Sequence, residues 1–249
     1  MKKIFLSFCL LFSSFSFALT PTQRIKALED NLQGKTFMST ATMKVVRDND
    51  SRQMKIKLWW KERKFALIKI LEPQKDKDTG NLRIGTDLWQ YLPKVNRIIR
   101  IPSSMMLQSW MGSDFSNDDL VKNGSLFNDY THKLVKKDKI EKQDVEIIEC
   151  LPRPDAPVVW GKIIVTVRVK DSAPLKQEFY SEKGKLIKIL EGSNIKKFGT
   201  HNIPTTLKMT NVTKKNTYTV IEYEAKTVKF DDVINDSFFN QQQLRRSNL

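Results

Sequence analysis

Few side chains in this sequence are suited to catalysis. The two histidines, His132 and His201, lie far apart in different strand patterns. Gly112-Ser113-Asp114 places a serine after a glycine, but it lacks the second glycine and the strand-turn-helix setting of a nucleophile elbow. The sequence contains no paired cysteines, His-Glu-x-x-His pattern or glycine-rich phosphate loop. We therefore expect no catalytic residues and no enzyme activity.

A small acidic cluster is formed by Asp114, Asp118 and Asp119. A calcium loop would need ligands at alternating positions and more oxygen donors than these three residues supply. Acidic residues at the start of a helix, where the helix dipole favours them, are a simpler explanation. We expect no metal site here.

The first residues have the pattern of an export signal. Lys2 and Lys3 precede an apolar stretch over 4–17, and small residues end at Ala18. The stretch is short for a membrane span. We predict a signal peptide over 1–18 that exports a single domain over 19–249 from the cytoplasm.

Cysteine usage agrees with this division of the chain. Cys9 would be removed with the signal, so Cys150 would remain as a single thiol that is either buried or paired between chains. Because Cys150 ends an apolar stretch, we expect it to be buried.

The chain is strongly basic, with a formal net charge of +15. An exported protein rarely meets nucleic acid, so we expect no nucleic-acid partner. The charge favours an anionic membrane surface or an acidic protein partner. Dispersed lysines that keep a sheet protein soluble and its edges unpaired are the alternative.

Helical and strand patterns alternate along the chain. Thr20, Pro21 and Gly34 bracket a predicted N-terminal helix. Short alternating strands with polar turns then predict an antiparallel meander. Roughly ten strands are more than a flat sheet tolerates, so we predict an α+β fold with a strongly curved antiparallel sheet.

Residues 103–112 interrupt the strands and are rich in methionine. Met105, Met106, Trp110 and Met111 lie close together, and we predict a short helix here. Such a helix is either an ordinary core helix with methionine as gap filler, or a flexible lid over an apolar cavity. Composition alone does not separate the two.

Strand alternation suggests which residues face such a cavity. Met54, Ile56, Leu58 and Trp60 share one face of a strand that carries lysines on the other. A one-residue error in register would invert every assignment of this kind. The residues predicted to line the concave face are Met54, Ile56, Leu58, Trp60, Phe65, Leu67, Trp89 and Tyr91.

Residues 85–120 resemble the signature region of the outer membrane lipoprotein-sorting family, the LolA/LolB-like proteins. The most specific parts are Leu88-Trp89-Gln90-Tyr91-Leu92-Pro93 and Met111-Gly112-Ser113-Asp114-Phe115-Ser116. Further similarity lies at Thr42-Met43, Pro73, Gly80-Asn81-Leu82, the turn at 180–184, Pro204 and 238–244.

The resemblance implies a half-open β-barrel wrapped around helices, with a hydrophobic cavity that takes lipid acyl chains. It implies a periplasmic shuttle or acceptor without cofactor, from a divergent branch whose members work with exporters of the resistance-nodulation-division type. It favours the lid interpretation of Met105, Met106, Trp110 and Met111.

Three functions remain open on these grounds. The first is a carrier for lipid or lipoprotein acyl chains, working toward the outer membrane with an inner-membrane exporter. The second is a lipid-sensing regulator of envelope stress. The third is a non-transporting accessory subunit of an exporter, whose interior is filled by its own side chains.

Overall fold

A computed structural model describes residues 19–48, 50–121, 126–156 and 158–247. The predicted signal peptide at 1–18 lies outside the described residues. So does Asn123-Gly124, where the sequence predicts the end of a second helix after the methionine-rich segment.

The described residues form four α-helices beside the sheet: α1 (Pro21–Gln33), α2 (Asn117–Val121), α3 (Leu126–Asp129) and α4 (Gln241–Arg245). The start of α1 is fixed by a capping box, in which Thr20 Oγ1 accepts from Gln23 N and Gln23 Oε1 accepts from Thr20 N. The helix ends before Gly34, as predicted, and Gly34 has a positive φ. In the described parts of the chain, no helix has the length and apolar character needed to cross a bilayer.

The sheet contains more strands than the sequence predicts. The described strands are β1 (Thr36–Arg47), β2 (Asp50–Lys61), β3 (Phe65–Glu72), β4 (Gly80–Ile84), β5 (Asp87–Leu92), β6 (Arg97–Arg100), β7 (Tyr130–Ile140), β8 (Gln143–Pro152), β9 (Lys162–Arg168), β10 (Pro174–Tyr180), β11 (Leu186–Phe198), β12 (His201–Asn211), β13 (Thr217–Tyr223) and β14 (Lys229–Phe230). There are 14, so the prediction of roughly ten was too low. β4 begins with glycine, β7 is rich in lysine and β14 has two residues, so none shows clear apolar alternation.

All strands belong to one antiparallel, curved and unclosed sheet. Its order is β6-β5-β4-β3-β2-β1-β13-β12-β11-β10-β9-β8-β7, with β14 paired to β1. Among the described residues, β6 and β7 are the two edges and do not pair with each other. The first strand therefore lies in the middle of the sheet, next to β13 from the end of the chain.

The helix α1 packs against one half of the concave face. Ile25 and Leu28 are buried among Tyr130, Val165 and Met209. The buried ion pair between Arg24 and Glu146 fixes the helix further, with Arg24 Nε 2.9 Å from Glu146 Oε2. Arg24 also donates to the carbonyl of Val169 and to Ser172 Oγ. Together these contacts tie α1 to β8 and to the chain that follows β9.

The convex face of β2–β6 is covered by the C-terminal segment, residues 231–247. Phe238 packs against Trp59 with ring centroids 5.5 Å apart, and Phe239 stacks on Phe65 at 5.1 Å. Leu244 is fully buried in the same cluster. β3 and most of β4 are thus buried on both faces.

Four residues that were predicted to line the cavity lie on the opposite, convex face, beneath this segment. Phe65, Leu67, Trp89 and Tyr91 lie in or against the convex cluster and not on the concave face. The reason is the register of β3, in which Ala66 pairs with Trp60, so the face of Trp60 continues through Ala66. The apolar run of β3 is buried on both sides, and alternation could not show which side was concave.

Cys150 is fully buried in the cluster beneath α1, as predicted. Burial raises the pKa of its thiol to about 12, and the nearby carboxylates of Glu29 and Glu149 act in the same direction. The thiol is therefore unreactive in the folded protein.

Candidate functional site

An apolar cavity of about 230 Å³ lies between α1, the concave face of the sheet and the segment 110–120. An apolar cavity of about 150 Å³ is enough to bind benzene, whereas one water needs about 10–15 Å³. The apolar wall comes mainly from Leu28, Leu32, Phe37, Ile56, Leu58, Trp60, Ile68, Trp110, Phe115, Leu120, Trp160, Ile163, Phe179, Leu190, Ile203, Leu207, Met209 and Ile221. The space is therefore suited to a hydrocarbon group.

The β2 residues predicted to face the concave side do so. Ile56, Leu58 and Trp60 lie on the cavity wall. Met54 shares their face and is buried in the same core cluster, opposite Met43 of β1, but it does not reach the wall. Trp60 stacks on Phe37 with ring centroids 5.2 Å apart, which closes the wall between β2 and β1.

Much of the wall comes from strands whose residues were not among those predicted to line the cavity. β12 contributes Ile203, Leu207 and Met209, and β11 contributes Leu190. The alternation of Leu207 and Met209 with the exposed Lys208 is the signal that could have identified them. The alternation alone does not show which residues of β12 face the concave side, because that depends on how β12 pairs with β13.

The α1 side of the cavity carries a carboxyl group, that of Glu29. Glu29 is almost fully buried, its Oε2 lies 2.6 Å from Arg63 Nη1, and its Oε1 accepts from Phe127 N. Burial raises the pKa of Glu29 to about 7, although the Arg63 guanidinium and the Phe127 amide oppose the rise. Glu29 thus joins α1, α3 and the β2–β3 turn at the cavity.

The methionine-rich segment is not a helix, which corrects the prediction for residues 103–112. Two single 3-10 turns, Ser103–Met105 and Trp110–Gly112, are separated by extended backbone at Ser109. Met111 has a φ of 48°, which no continuing helix allows. Trp110 N donates to Phe115 O, so the chain folds back on itself here.

The four predicted lid residues lie at different depths. Trp110 is buried on the cavity wall and donates from Nε1 to Asn81 Oδ1 at 3.0 Å. Met111 is half-buried against the same core cluster. Met105 and Met106 are half-buried, and neither reaches the wall.

Polar contacts fasten this segment to the sheet. Asp114 Oδ2 lies 2.9 Å from Arg47 Nη1 and accepts from Thr219 Oγ1 at 2.7 Å. Thr219 Oγ1 in turn accepts from Asp114 N. Arg47 also donates to Gly112 O. The acidic residue that the sequence assigned to a helix start therefore holds the segment on β1 and β13.

A capping box begins α2 at Ser116. Ser116 N donates to Asp119 Oδ2 at 2.6 Å, and Asp119 N donates to Ser116 Oγ. Asp119 Oδ2 also lies 3.3 Å from Lys188 Nζ of β11. This ion pair links the segment to the far side of the cavity.

One family model and several solved structures match most of this chain. The model of a family described as "Uncharacterized protein" matches residues 62–246, which is more than half of the chain. The structure of a domain ascribed to outer membrane lipoprotein sorting in Vibrio parahaemolyticus is 25% identical, with a TM-score of 0.77 over 89% of this chain and 98% of that one. The chain belongs to the family that this model describes, and it shares the fold of LolA-like proteins. The family predicted from residues 85–120 is confirmed.

Two further structures share the LolA-like fold. A DUF1329 family protein from Desulfovibrio piger is 21% identical, with a TM-score of 0.80 over 90% of this chain and 97% of that one. A LolA superfamily protein from Nitrosomonas europaea is also 21% identical, with a TM-score of 0.76 over 91% of this chain and 100% of that one. No protein with a curated description is significantly similar in sequence.

Proposed function

We propose that this LolA-like protein is a periplasmic carrier that binds the acyl chains of a lipid or lipoprotein and moves them toward the outer membrane. Residues 1–18 act as the export signal, and residues 19–249 form one lipid-binding domain. The observation that carries the proposal is the apolar cavity of about 230 Å³ beneath α1. The similarity to a lipoprotein-sorting domain supports it.

The driving force for binding is burial of hydrocarbon. Each methylene group moved from water into an apolar cavity gains about 0.8 kcal/mol. Ile56, Leu58 and Trp60 supply wall on β2, and Leu190 supplies it on β11. β2 and β11 are separated by four steps in the sheet order, or about 19 Å along the curved sheet at about 4.8 Å per step. An extended chain can lie across the strands over this distance.

Burial alone gives no direction to transport, because the donor bilayer offers the acyl chain the same gain. Direction requires a donor that uses energy or an acceptor that binds more tightly. We therefore include an inner-membrane exporter of the resistance-nodulation-division type as the donor partner in the proposal.

The proposed lid is the segment that carries Met105, Met106, Trp110 and Met111. Trp110 closes the wall, and Met111 packs beside it. The unbranched methionine side chains repack at low cost, which suits a cover that must accept chains of different shape. Its contacts through Asp114 keep one end of the segment fixed on the sheet while the methionine end moves.

In this proposal, positive surface charge brings the protein to an anionic membrane surface. β7 is an edge strand whose exposed side chains include Lys133, Lys136, Lys137 and Lys139. Such lysines are attracted to anionic head groups by about 1 kcal/mol each near a membrane surface. They also protect an unpaired edge from aggregation, and the two roles are compatible.

The proposal is tested by mass spectrometry of lipid extracted from protein purified out of membrane-containing cells. We expect lipid bound in about one-to-one ratio, and saturable uptake of a fluorescent fatty acyl probe after delipidation. Protein that carries no lipid and takes up no probe would contradict the proposal.

Transfer separates a carrier from a lipid-sensing regulator of envelope stress. A carrier loaded with fluorescent lipid passes it to acceptor vesicles, whereas a sensor binds the lipid and retains it. The cavity also argues against an accessory subunit whose interior is filled by its own side chains.

A further inference from the structure

Lys188 places an ammonium group at the edge of the apolar cavity. It lies on β11 opposite Phe179 of β10, and residues directly opposite in an antiparallel pair share one face. Phe179 is buried on the cavity wall, so Lys188 also belongs to the concave side. Only 12% of its side chain is exposed. Lysine is seldom buried to this degree unless its charge is paired, as it is here with Asp119.

The contacts of Lys188 join it directly to the cavity. Its Nζ lies 3.3 Å from Asp119 Oδ2 and 5.5 Å from the ring centroid of Trp160. Both Asp119 and Trp160 line the cavity. The ammonium therefore lies where the apolar wall ends.

The ion pair with Asp119 leaves Lys188 able to bind another anion. The same Oδ2 accepts a shorter hydrogen bond, 2.6 Å, from Ser116 N. Asp119 thus keeps a donor when Lys188 turns away. An ammonium group has three N–H donors, and the carboxylate of Asp119 engages it through one oxygen.

We propose that Lys188 binds the anionic group, a carboxylate or a phosphate, of an amphiphile whose acyl chain lies in the cavity. This inference rests on the proposed function and specifies the charge of the cargo. The Trp160 face holds the lysine stem in place, and the hydrocarbon extends from β11 toward Ile56 and Leu58 of β2. A cationic head group is disfavoured because Asp119 is already engaged by the Ser116 amide and by Lys188.

The test uses amphiphiles that share one chain and differ in head group: dodecanoate, dodecyl phosphate, dodecanol and dodecylammonium. Their dissociation constants are measured with delipidated protein below the critical micelle concentration. We expect dodecanoate and dodecyl phosphate to bind about tenfold more tightly than dodecanol, the size of one charge-assisted hydrogen bond.

Two variants test whether Lys188 causes the preference for anionic head groups. Lys188→Met should remove the tenfold preference while leaving the affinity for dodecanol unchanged. Asp119→Asn, which removes the competing carboxylate charge, should strengthen dodecanoate binding severalfold. Lys208→Met is the matched control, because Lys208 also lies over an aromatic ring, that of Tyr218, but is exposed on the opposite face of the sheet. It should retain the preference.

The outcomes distinguish this inference from the proposed function. Equal affinity of the wild-type protein for dodecanol and dodecanoate would overturn the inference and leave the carrier proposal standing. So would tighter binding of dodecylammonium, or a preference that survives in Lys188→Met. Failure of all four amphiphiles to bind would overturn both.

Discussion

Trp59 and Trp60 are consecutive in the chain but serve opposite faces of the sheet. Trp60 lines the cavity and stacks on Phe37, with ring centroids 5.2 Å apart. Trp59 packs on the convex face against Phe238, at 5.5 Å. β2 is therefore the strand on which the concave cavity and the C-terminal cover meet, and the two can be changed independently.

Loss of the C-terminal cover should destabilise the fold without altering the cavity. Phe239 is buried between Phe65 and Phe238, so Phe239→Ala should lower the free energy of unfolding by about 3–5 kcal/mol. Urea unfolding measures this change. Val233→Ala is the control: Val233 lies in the same segment but is fully exposed, and its change should stay within about 0.5 kcal/mol.

The folded Phe239→Ala protein should still bind a fluorescent acyl probe with wild-type affinity, since Phe239 lies on the face away from the cavity. If the folded variant molecules bind the probe more weakly than the wild type, the two faces of the sheet are coupled.

Glu29 should make stability depend on pH. The folded protein holds a proton on Glu29 up to about pH 7, whereas the unfolded chain loses it near 4.5. Between these values the folded state binds more protons, so the Glu29 contribution is fully present below pH 4.5 and is lost as the pH rises through 7. Relative to Glu29→Gln, which does not titrate, wild-type stability should fall by on the order of 2–3 kcal/mol across this range.

The pH effect is checked by urea unfolding of both proteins at several pH values. Asp30→Asn is the control, because Asp30 is adjacent and also near Arg63 but is half exposed. If the stability of the wild type relative to Glu29→Gln stays constant or rises with pH, the ion pair with Arg63 outweighs the cost of burial.

Cys150 should report global unfolding. Its thiol is buried beneath α1, and its raised pKa keeps it protonated at neutral pH. A thiol-reactive reagent should therefore label it only at the rate at which the protein unfolds. Labelling should slow when an acyl ligand stabilises the folded state. Rapid labelling of the native protein would contradict this burial.

The sequence predicted local features more reliably than the faces of the sheet. Thr20, Pro21 and Gly34 marked α1 because capping and termination are decided by neighbours in the chain. Met54 to Leu58 alternates strictly with lysines, and the structure places Ile56, Leu58 and Trp60 of this strand on the cavity wall.

The remaining errors have a common physical cause. Phe65 and Leu67 belong to a strand that is apolar on both sides, and their face depends on the register with β2 and on a C-terminal segment far away in sequence. Met111 adopts a positive φ inside an apolar stretch, which composition does not indicate. Both features are set by tertiary contacts.

The central claim is that the cavity holds the acyl chain. It is tested most directly by filling the cavity with a larger side chain. Leu207 lines the cavity from β12, whereas its neighbour Lys208 is exposed on the opposite face. Leu207→Trp should occupy the space and reduce the affinity for a fluorescent acyl probe at least about tenfold, the effect of roughly 1.4 kcal/mol. Lys208→Trp adds the same ring outside the cavity and should bind the probe as the wild type does. Equal probe binding by folded Leu207→Trp and wild-type protein would contradict the account.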